Sequence, residues 1–282
     1  MASSSTRQKC LIPVGNGSLG LVVIGPVLRA NAAAEWGGRF VPLTGSGMYF
    51  QHAPEIWAEY PELVAGAAFI TGIGAGADVE ARVAKFYAVA EERLAAGPES
   101  EFPEIRAWRR AFAKMGLKPT QYRCASEALL RRFKRERELP RIHPLIDLCN
   151  AISLAYAIPV AAIDVAEVAG GLEVRPARGD EEYLTFGGEI EHPVPGEVVF
   201  ADEAGRAHAR RWTNRQSGRS AVRGTTGEVL IVAEALHGTA AGDVPALLET
   251  VAAELAEVWP GTPVTAVLSA ADPRLEFAPA QP

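Results

Sequence analysis

The chain has 282 residues, of which 48% are hydrophobic and 22% charged, and its net charge is −6. This length and apolar content allow a sizeable core in one large domain or two small ones. The three cysteines are an odd number without Cys-x-x-Cys spacing, which argues against a disulfide framework and favours a reducing, cytoplasmic location. The five histidines lie far apart, so we expect no metal or other cofactor. Without a long apolar stretch, we expect no membrane association.

The first 47 residues carry some features of a secretory signal peptide. Arg7 and Lys9 precede an apolar run at 19–28 and the small-residue triplet at 30–32. Glycine and proline residues interrupt the apolar run, which argues against export. We therefore expect residues 1–47 to be a disordered extension from an upstream start codon, and residues 48–282 to form the folded domain. A real but variable tail is the alternative.

A strand is predicted at residues 63–73 and an amphipathic helix at 78–95, and a glycine-rich loop joins them. Gly72, Gly74 and Gly76 in that loop suggest a dinucleotide-binding turn. The last glycine of that fingerprint is missing, however, so the spacing favours an ordinary turn.

Two helices with basic faces follow, at residues 102–115 and 126–137, and Ser126 is the predicted N-cap of the second. Phosphate contact would explain the clustering of arginines on a chain whose net charge is negative. A solvated helix face paired with nearby glutamates explains it equally well. The candidate RNA-binding residues are Arg106, Arg109, Arg110, Arg131, Arg132 and Arg135.

An apolar helix follows His143 and contains two polar residues, Asp147 and Asn150, on one face. A polar side chain in such a helix must be hydrogen-bonded or face a cavity, because burying it unpaired costs about 1–3 kcal/mol. Pro159 ends the helical region, and residues 160–163 read as a short buried strand that leads to Asp164.

The second half of the chain is predicted to be rich in β-structure, since short strand-like segments alternate with glycine pairs. A closing amphipathic helix is predicted at 244–259. The whole pattern indicates an α+β fold. The predicted strands are 172–178, 183–186, 197–201, 229–235 and 263–269.

Three motifs, LIDLCN at 145–150, PVAAID at 159–164 and VRPARGDE at 174–181, occur in an order that resembles the B3/B4 domain of the bacterial phenylalanyl-tRNA synthetase beta subunit. The resemblance extends from about Glu101 to about Leu236. It implies layered helices packed on an irregular β-sandwich, and an editing activity that hydrolyses a mischarged aminoacyl-tRNA. Such an ester is already reactive, so orientation and an ordered water suffice without a catalytic triad.

Residue by residue, the resemblance transfers only in part. Asn150 matches an editing-pocket position, whereas Ala161 stands where the family has a histidine. Val232 stands where the family has a tyrosine-recognising glutamate, and Glu234, on the same strand face, could substitute for it. The resemblance therefore implies Asn150 and Glu234 as catalytic residues.

The segment WTNRQ replaces a glycine-rich family segment, so the pocket should prefer a ligand other than tyrosine. Arg215 suits a carboxylate or phosphate, or else pairs with Asp180, Glu181 or Asp147. Trp212 fits core packing at least as well as base stacking. His208 and His237 are expected at the surface. The candidate substrate-binding residues are Arg123, Asp147, Trp212, Asn214, Arg215 and Gln216.

Three functions remain open at this point. The first is a free-standing hydrolase that deacylates a mischarged aminoacyl-tRNA, with tRNA or aminoacyl-tRNA as partner, either alone or beside a synthetase, and without DNA. The second is a non-catalytic module that binds tRNA or an aminoacyl ligand. The third is a pocket redirected to a small metabolite.

Overall fold

The computed structural model describes residues 47–279, which form six α-helices and twelve strands. None of the helices in this range is long and apolar enough to cross a membrane. The helices are α1 Pro54–Glu59, α2 Glu80–Ala96, α3 Pro103–Lys114, α4 Ala125–Glu136, α5 Pro144–Tyr156 and α6 Ala240–Val258. The strands are β1 Met48–His52, β2 Val64–Thr71, β3 Val160–Asp164, β4 Gly171–Pro176, β5 Tyr183–Leu184, β6 Ile190–Glu191, β7 Val198–Asp202, β8 Ala207–Arg210, β9 Arg215–Gln216, β10 Glu228–Ala235, β11 Val264–Leu268 and β12 Arg274–Phe277.

Two sheets pack face to face as an irregular sandwich. The larger sheet has the strand order β12-β1-β4-β7-β8-β9, in which only the β1–β4 pair is parallel. The smaller sheet has the order β11-β2-β10-β3 and is antiparallel throughout. Phe50 and Phe200 of the larger sheet share one core with Phe69 and Val232 of the smaller sheet. The fold is therefore α+β, as predicted.

Strand β10 divides two cores, because alternate side chains of a strand point to opposite faces of a sheet. Leu230 and Val232 face the sandwich interior, whereas Ile231 and Ala233 face a second core that is covered by α2, α5 and α6. This second core accounts for the apolar composition of α5, which packs its length against a sheet. Helices α3 and α4 instead contribute to the sandwich core.

A buried carboxylate, Glu181, organises the loop after β4. It accepts hydrogen bonds from the backbone amides of Arg178 and Gly179 and from the guanidinium of Arg175. Burial alone would raise the pKa of Glu181, but these bonds outweigh it and lower the pKa to about 2. Glu181 and Arg175, both in the VRPARGDE motif, therefore fix the conformation of this loop.

Most predicted elements are present with small shifts at their ends. The N-cap prediction was wrong, because α4 begins at Ala125 with Cys124 as its N-cap, and Ser126 lies in the first turn. Helix α1 and five strands were not predicted at all: β1, β6, β8, β9 and β12. Residues 1–46 lie outside the described part of the chain, so the extension predicted for 1–47 and the domain boundary stay predictions.

Candidate functional site: a pocket between the two sheets

A pocket of about 70 Å³ lies between the two sheets where β3 and β9 form their edges. A cavity of this size has room for several water molecules. Its walls are largely apolar, and a few polar groups project among them. The lining residues include Ala161 and Ile163 of β3, Phe200 of β7, His208 and Ala209 of β8, Val232 and Glu234 of β10, and the segment 212–216.

Glu234 supplies a buried carboxylate to this pocket. Its Oε1 accepts a hydrogen bond of 2.8 Å from Trp212 Nε1 and lies 2.6 Å from Nε2 of His52. Both partners engage the same oxygen, and no side chain in residues 47–279 donates to Oε2. With only 2% of the residue exposed, the second oxygen is available to a ligand or water in the pocket rather than to bulk solvent.

Trp212 anchors the segment that crosses the pocket. Trp212 and the preceding Arg211 both have positive φ, +57° and +48°, which turns the chain inward after β8. The indole ring is fully buried and makes T-shaped contacts with Tyr60 at 4.9 Å and Trp108 at 5.0 Å between ring centroids. Because the ring has no exposed surface, the geometry favours core packing over base stacking.

Asn214 and Gln216 are half-buried amides that tie the pocket together. Asn214 Nδ2 donates to the carbonyl of Arg123 at 2.7 Å, and Gln216 Nε2 donates to the carbonyl of Ala162 on β3 at 2.7 Å. Since both donors use the NH₂ group, the amide oxygens stay available as acceptors. Gln216 also closes the gap between the edge strands of the two sheets.

Arg215 lies at the mouth of the pocket. Its guanidinium is partly exposed, lies 5.5 Å from the ring centroid of Tyr183, and has Nη1 at 3.4 Å from Glu191. The expected ion-pair partners Asp180, Glu181 and Asp147 are replaced by Glu191 because the β5–β6 hairpin carries Glu191 beside β9. Glu191 is shared with Arg210, so the pair leaves Arg215 partly free to meet an anion.

Three predicted residues are not brought to the pocket with Glu234. Asn150 and Asp147 belong to α5, which packs on the far side of the smaller sheet from the Glu234 carboxylate, and neither lines the pocket. Asp147 accepts a hydrogen bond from the amide of Ile142, which holds the chain before α5. The Arg123 side chain is engaged elsewhere, by Glu127 and by the carbonyl of Thr120.

The predicted RNA-binding arginines divide into two groups. Four pair with carboxylates: Arg109 with the buried Glu127, Arg131 with Glu99, and both Arg132 and Arg135 with Glu136. Among the described residues, the exposed Arg106 and Arg110 have no ion pair. The paired-face interpretation thus describes the four, whereas the other two present unpaired charge.

The prediction that His208 and His237 lie at the surface was wrong. His208 is fully buried and lines the pocket, with Nε2 at 3.2 Å from Asp202, while His237 is 5% exposed and bonds Asp243. No sequence motif marks His208. The one signal was its position in a strand-like segment just before WTNRQ.

The fold is α+β, and the pocket between its sheets is mostly apolar and contains a buried carboxylate and a histidine. Residues 107–243 match the B3/4 domain family, which agrees with the resemblance noted from about Glu101 to about Leu236. Residues 107–243 are therefore similar to the B3/4 domain, and shorter segments are similar to phenylalanine–tRNA ligase beta subunits.

Curated relatives agree over shorter segments. Phenylalanine–tRNA ligase beta subunits are 33% identical over 63 residues in Cereibacter sphaeroides, 34% over 77 residues in Chromobacterium violaceum and 38% over 64 residues in Novosphingobium aromaticivorans. These matches cover 22–27% of this chain and only 8–10% of each relative. An N-terminal fragment of the beta subunit from Pyrococcus horikoshii aligns with a TM-score of 0.43 and 10% identity, covering 77% of this chain and 50% of the fragment.

Proposed function

We propose that the protein binds the aminoacylated 3′ end of a tRNA at the pocket between the sheets and hydrolyses the ester, releasing the amino acid. One observation carries the proposal. Ala161, the segment 212–216 and Glu234 were singled out by resemblance from three separate stretches of sequence, and all of them line a single pocket. Their convergence is what a shared editing site requires.

The polar groups of the pocket suit an aminoacyl ester. The free oxygen of Glu234 accepts a hydrogen bond from the ammonium or a side-chain donor of the amino acid. The half-buried Asn214 and Gln216 contribute further acceptors, and Arg215 at the mouth attracts the phosphate of the terminal nucleotide. Because the cavity is small, a compact side chain fits best. Arg106 and Arg110 provide additional RNA contacts, and the protein acts in the cytoplasm, alone or beside a synthetase.

The test is release of amino acid from a panel of matched and mismatched radiolabelled aminoacyl-tRNAs by the full 282-residue chain. We expect rapid release from one mischarged species. Glu234→Gln should slow that release, because an amide keeps the acceptor for Trp212 and His52 but replaces the carboxylate oxygen with a donor.

Asn150→Ala is the matched comparison, since Asn150 is half-buried and polar but lies outside the pocket lining. Asn150 and Glu234 were both predicted to be catalytic. Full activity of Asn150→Ala would leave Glu234 as the functional residue of the two. Loss of activity would support the catalytic role predicted for Asn150.

Three results would redirect the proposal. Absence of release from every species, with tRNA binding retained, would indicate a non-catalytic binding module. A ligand bound equally well without tRNA would indicate a pocket for a small metabolite. Release that is unaffected by Glu234→Gln would move the reaction away from this pocket.

A further inference from the structure

A histidine of the pocket lining, His208, pairs with Asp202 outside that lining, and the resemblance includes neither residue. His208 has no exposed surface and lines the pocket beside Ala209 and Phe200. Its Nε2 lies 3.2 Å from Oδ2 of Asp202, and its Nδ1 is buried without a partner in the described structure. An imidazole nitrogen that is buried without a partner is unfavourable unless a water or ligand occupies the cavity.

A strand irregularity produces this placement. Phe200 pairs with Ala209 while Ala201 pairs with Ala207, so His208 is the extra residue of a β-bulge in β8. Bulges redirect a side chain locally and recur beside functional sites. The bulge therefore offers a specific reason why a histidine enters the sandwich at this point.

The tautomer of His208 follows from its partner. Burial would raise the pKa of Asp202, but hydrogen bonds from His208, from the amides of Arg206 and Ala169, and from the Arg206 guanidinium hold that pKa well below its ordinary range. An ionised Asp202 can only accept, so Nε2 of His208 carries the proton it donates. In the neutral imidazole, Nδ1 is then the nitrogen that carries the lone pair. The charged residues that line the pocket with His208 are Glu234 and Arg215.

We propose, resting on the hydrolytic function above, that His208 is the general base of this site and that Asp202 is its positioning residue. Nδ1 removes a proton from a water molecule in the pocket while the water oxygen bonds to the ester carbonyl carbon. The tetrahedral intermediate then collapses, the carbon–oxygen bond to the ribose breaks, and the imidazolium returns the proton to the departing ribose oxygen. Water is consumed, and a free amino acid and a tRNA with a free terminal hydroxyl are produced.

His208→Gln is the sharpest variant, because the glutamine NH₂ group can still donate to Asp202 while the basic nitrogen Nδ1 is replaced by a non-basic amide. General base catalysis typically contributes about 10²–10⁴-fold, so single-turnover release from the preferred aminoacyl-tRNA should fall at least about a hundredfold. Binding of a non-hydrolysable amide analogue of that aminoacyl-tRNA should stay within about threefold of wild type, as expected for a group that acts on water.

A second variant keeps the proposal testable if His208→Gln does not fold. His208→Ala leaves space for exogenous imidazole, which should restore a concentration-dependent part of the rate. For Asp202→Asn, we expect a lower rate with unchanged binding of the analogue, because an amide can also present a donor and so no longer fixes the tautomer of His208.

The possible outcomes separate the two proposals. A wild-type protein that releases amino acid, together with a His208→Gln protein of similar rate, would overturn the role of His208 and leave the hydrolase standing. An alanine variant that is folded, inactive and insensitive to imidazole would also overturn it. A wild-type protein that is inactive on every species would remove the hydrolytic function, and the general base with it.

Discussion

Replacing Arg109 by methionine should destabilise the protein, even though the sequence suggested that this residue contacts RNA. Arg109 donates to the carboxylate of Glu127 through Nε at 3.1 Å and Nη2 at 2.6 Å. The Glu127 side chain has no exposed surface, so its charge depends on these donors. Methionine preserves most of the apolar contact of the arginine stem and removes only the guanidinium.

The magnitude follows from what remains around Glu127. Breaking a buried ion pair by removing one partner typically costs about 3–5 kcal/mol. Arg123 Nε stays 3.4 Å from the carboxylate and compensates in part, so we expect about 2–3 kcal/mol. For a folded region of this size, each kcal/mol lowers the melting temperature by about 2–4 °C, which gives about 4–12 °C.

Thermal unfolding followed by circular dichroism measures this effect, and Arg106→Ala is the control. Arg106 is exposed on the same helix, so its removal should change stability by less than about 0.5 kcal/mol. A melting temperature for Arg109→Met within about 1–2 °C of wild type, which is the usual error of the method, would refute the structural role. If that variant also bound tRNA more weakly, the original RNA-contact interpretation would be restored.

Three further predictions concern the carboxylate, the thiols and the close packing of the fold. The pKa of Glu181 lies near 2, against an ordinary value of 4.5, so it contributes about 3 kcal/mol of stability above pH 4.5 that is lost as the pH falls toward 2; the urea midpoint should drop less on acidification in Glu181→Gln. Burial raises the pKa of Cys124 to about 11 and of Cys149 to about 12, so a Cys10→Ser protein should show no thiol reactive with a disulfide reagent at about pH 8 until denaturant is added. A Cβ on Gly66 would lie 2.8 Å from side-chain carbons of α6, so Gly66→Ala should cost about 1–3 kcal/mol by urea titration, and a neutral result would show that α6 shifts freely.

Local sequence patterns predicted those helices and strands whose formation can be read from their own residues, without knowledge of the elements they pack against. Helix α5 and strand β3 follow from an apolar run that is broken by Pro159, and β10 follows from its own length of apolar residues. The resemblance supplied the pocket positions on β3 and β10, because ordered motifs carry tertiary information that periodicity lacks.

The unpredicted parts depend on residues distant in sequence. His52 contacts Glu234, which is 182 residues away in the sequence. Strand β1 pairs in parallel with β4, although helices α1 to α5 lie between these strands along the chain. The bulge that turns His208 inward depends on the register of β7 against β8, which no single-strand pattern encodes. Arg106 and Arg109 look alike on a helical projection, and only the position of Glu127 on a different helix distinguishes their roles.

Strands β1 and β12 are antiparallel neighbours, and Met48 and Phe277 are register partners at one end of that pair. Partnered residues in such a ladder lie roughly 5 Å apart. The two ends of the described region thus lie side by side. A module with this geometry can be spliced into a surface loop of a host protein without stretching either junction, or circularly permuted by a short linker that joins its two ends. We therefore expect that residues 47–279 can be transplanted into an unrelated carrier and still present the pocket.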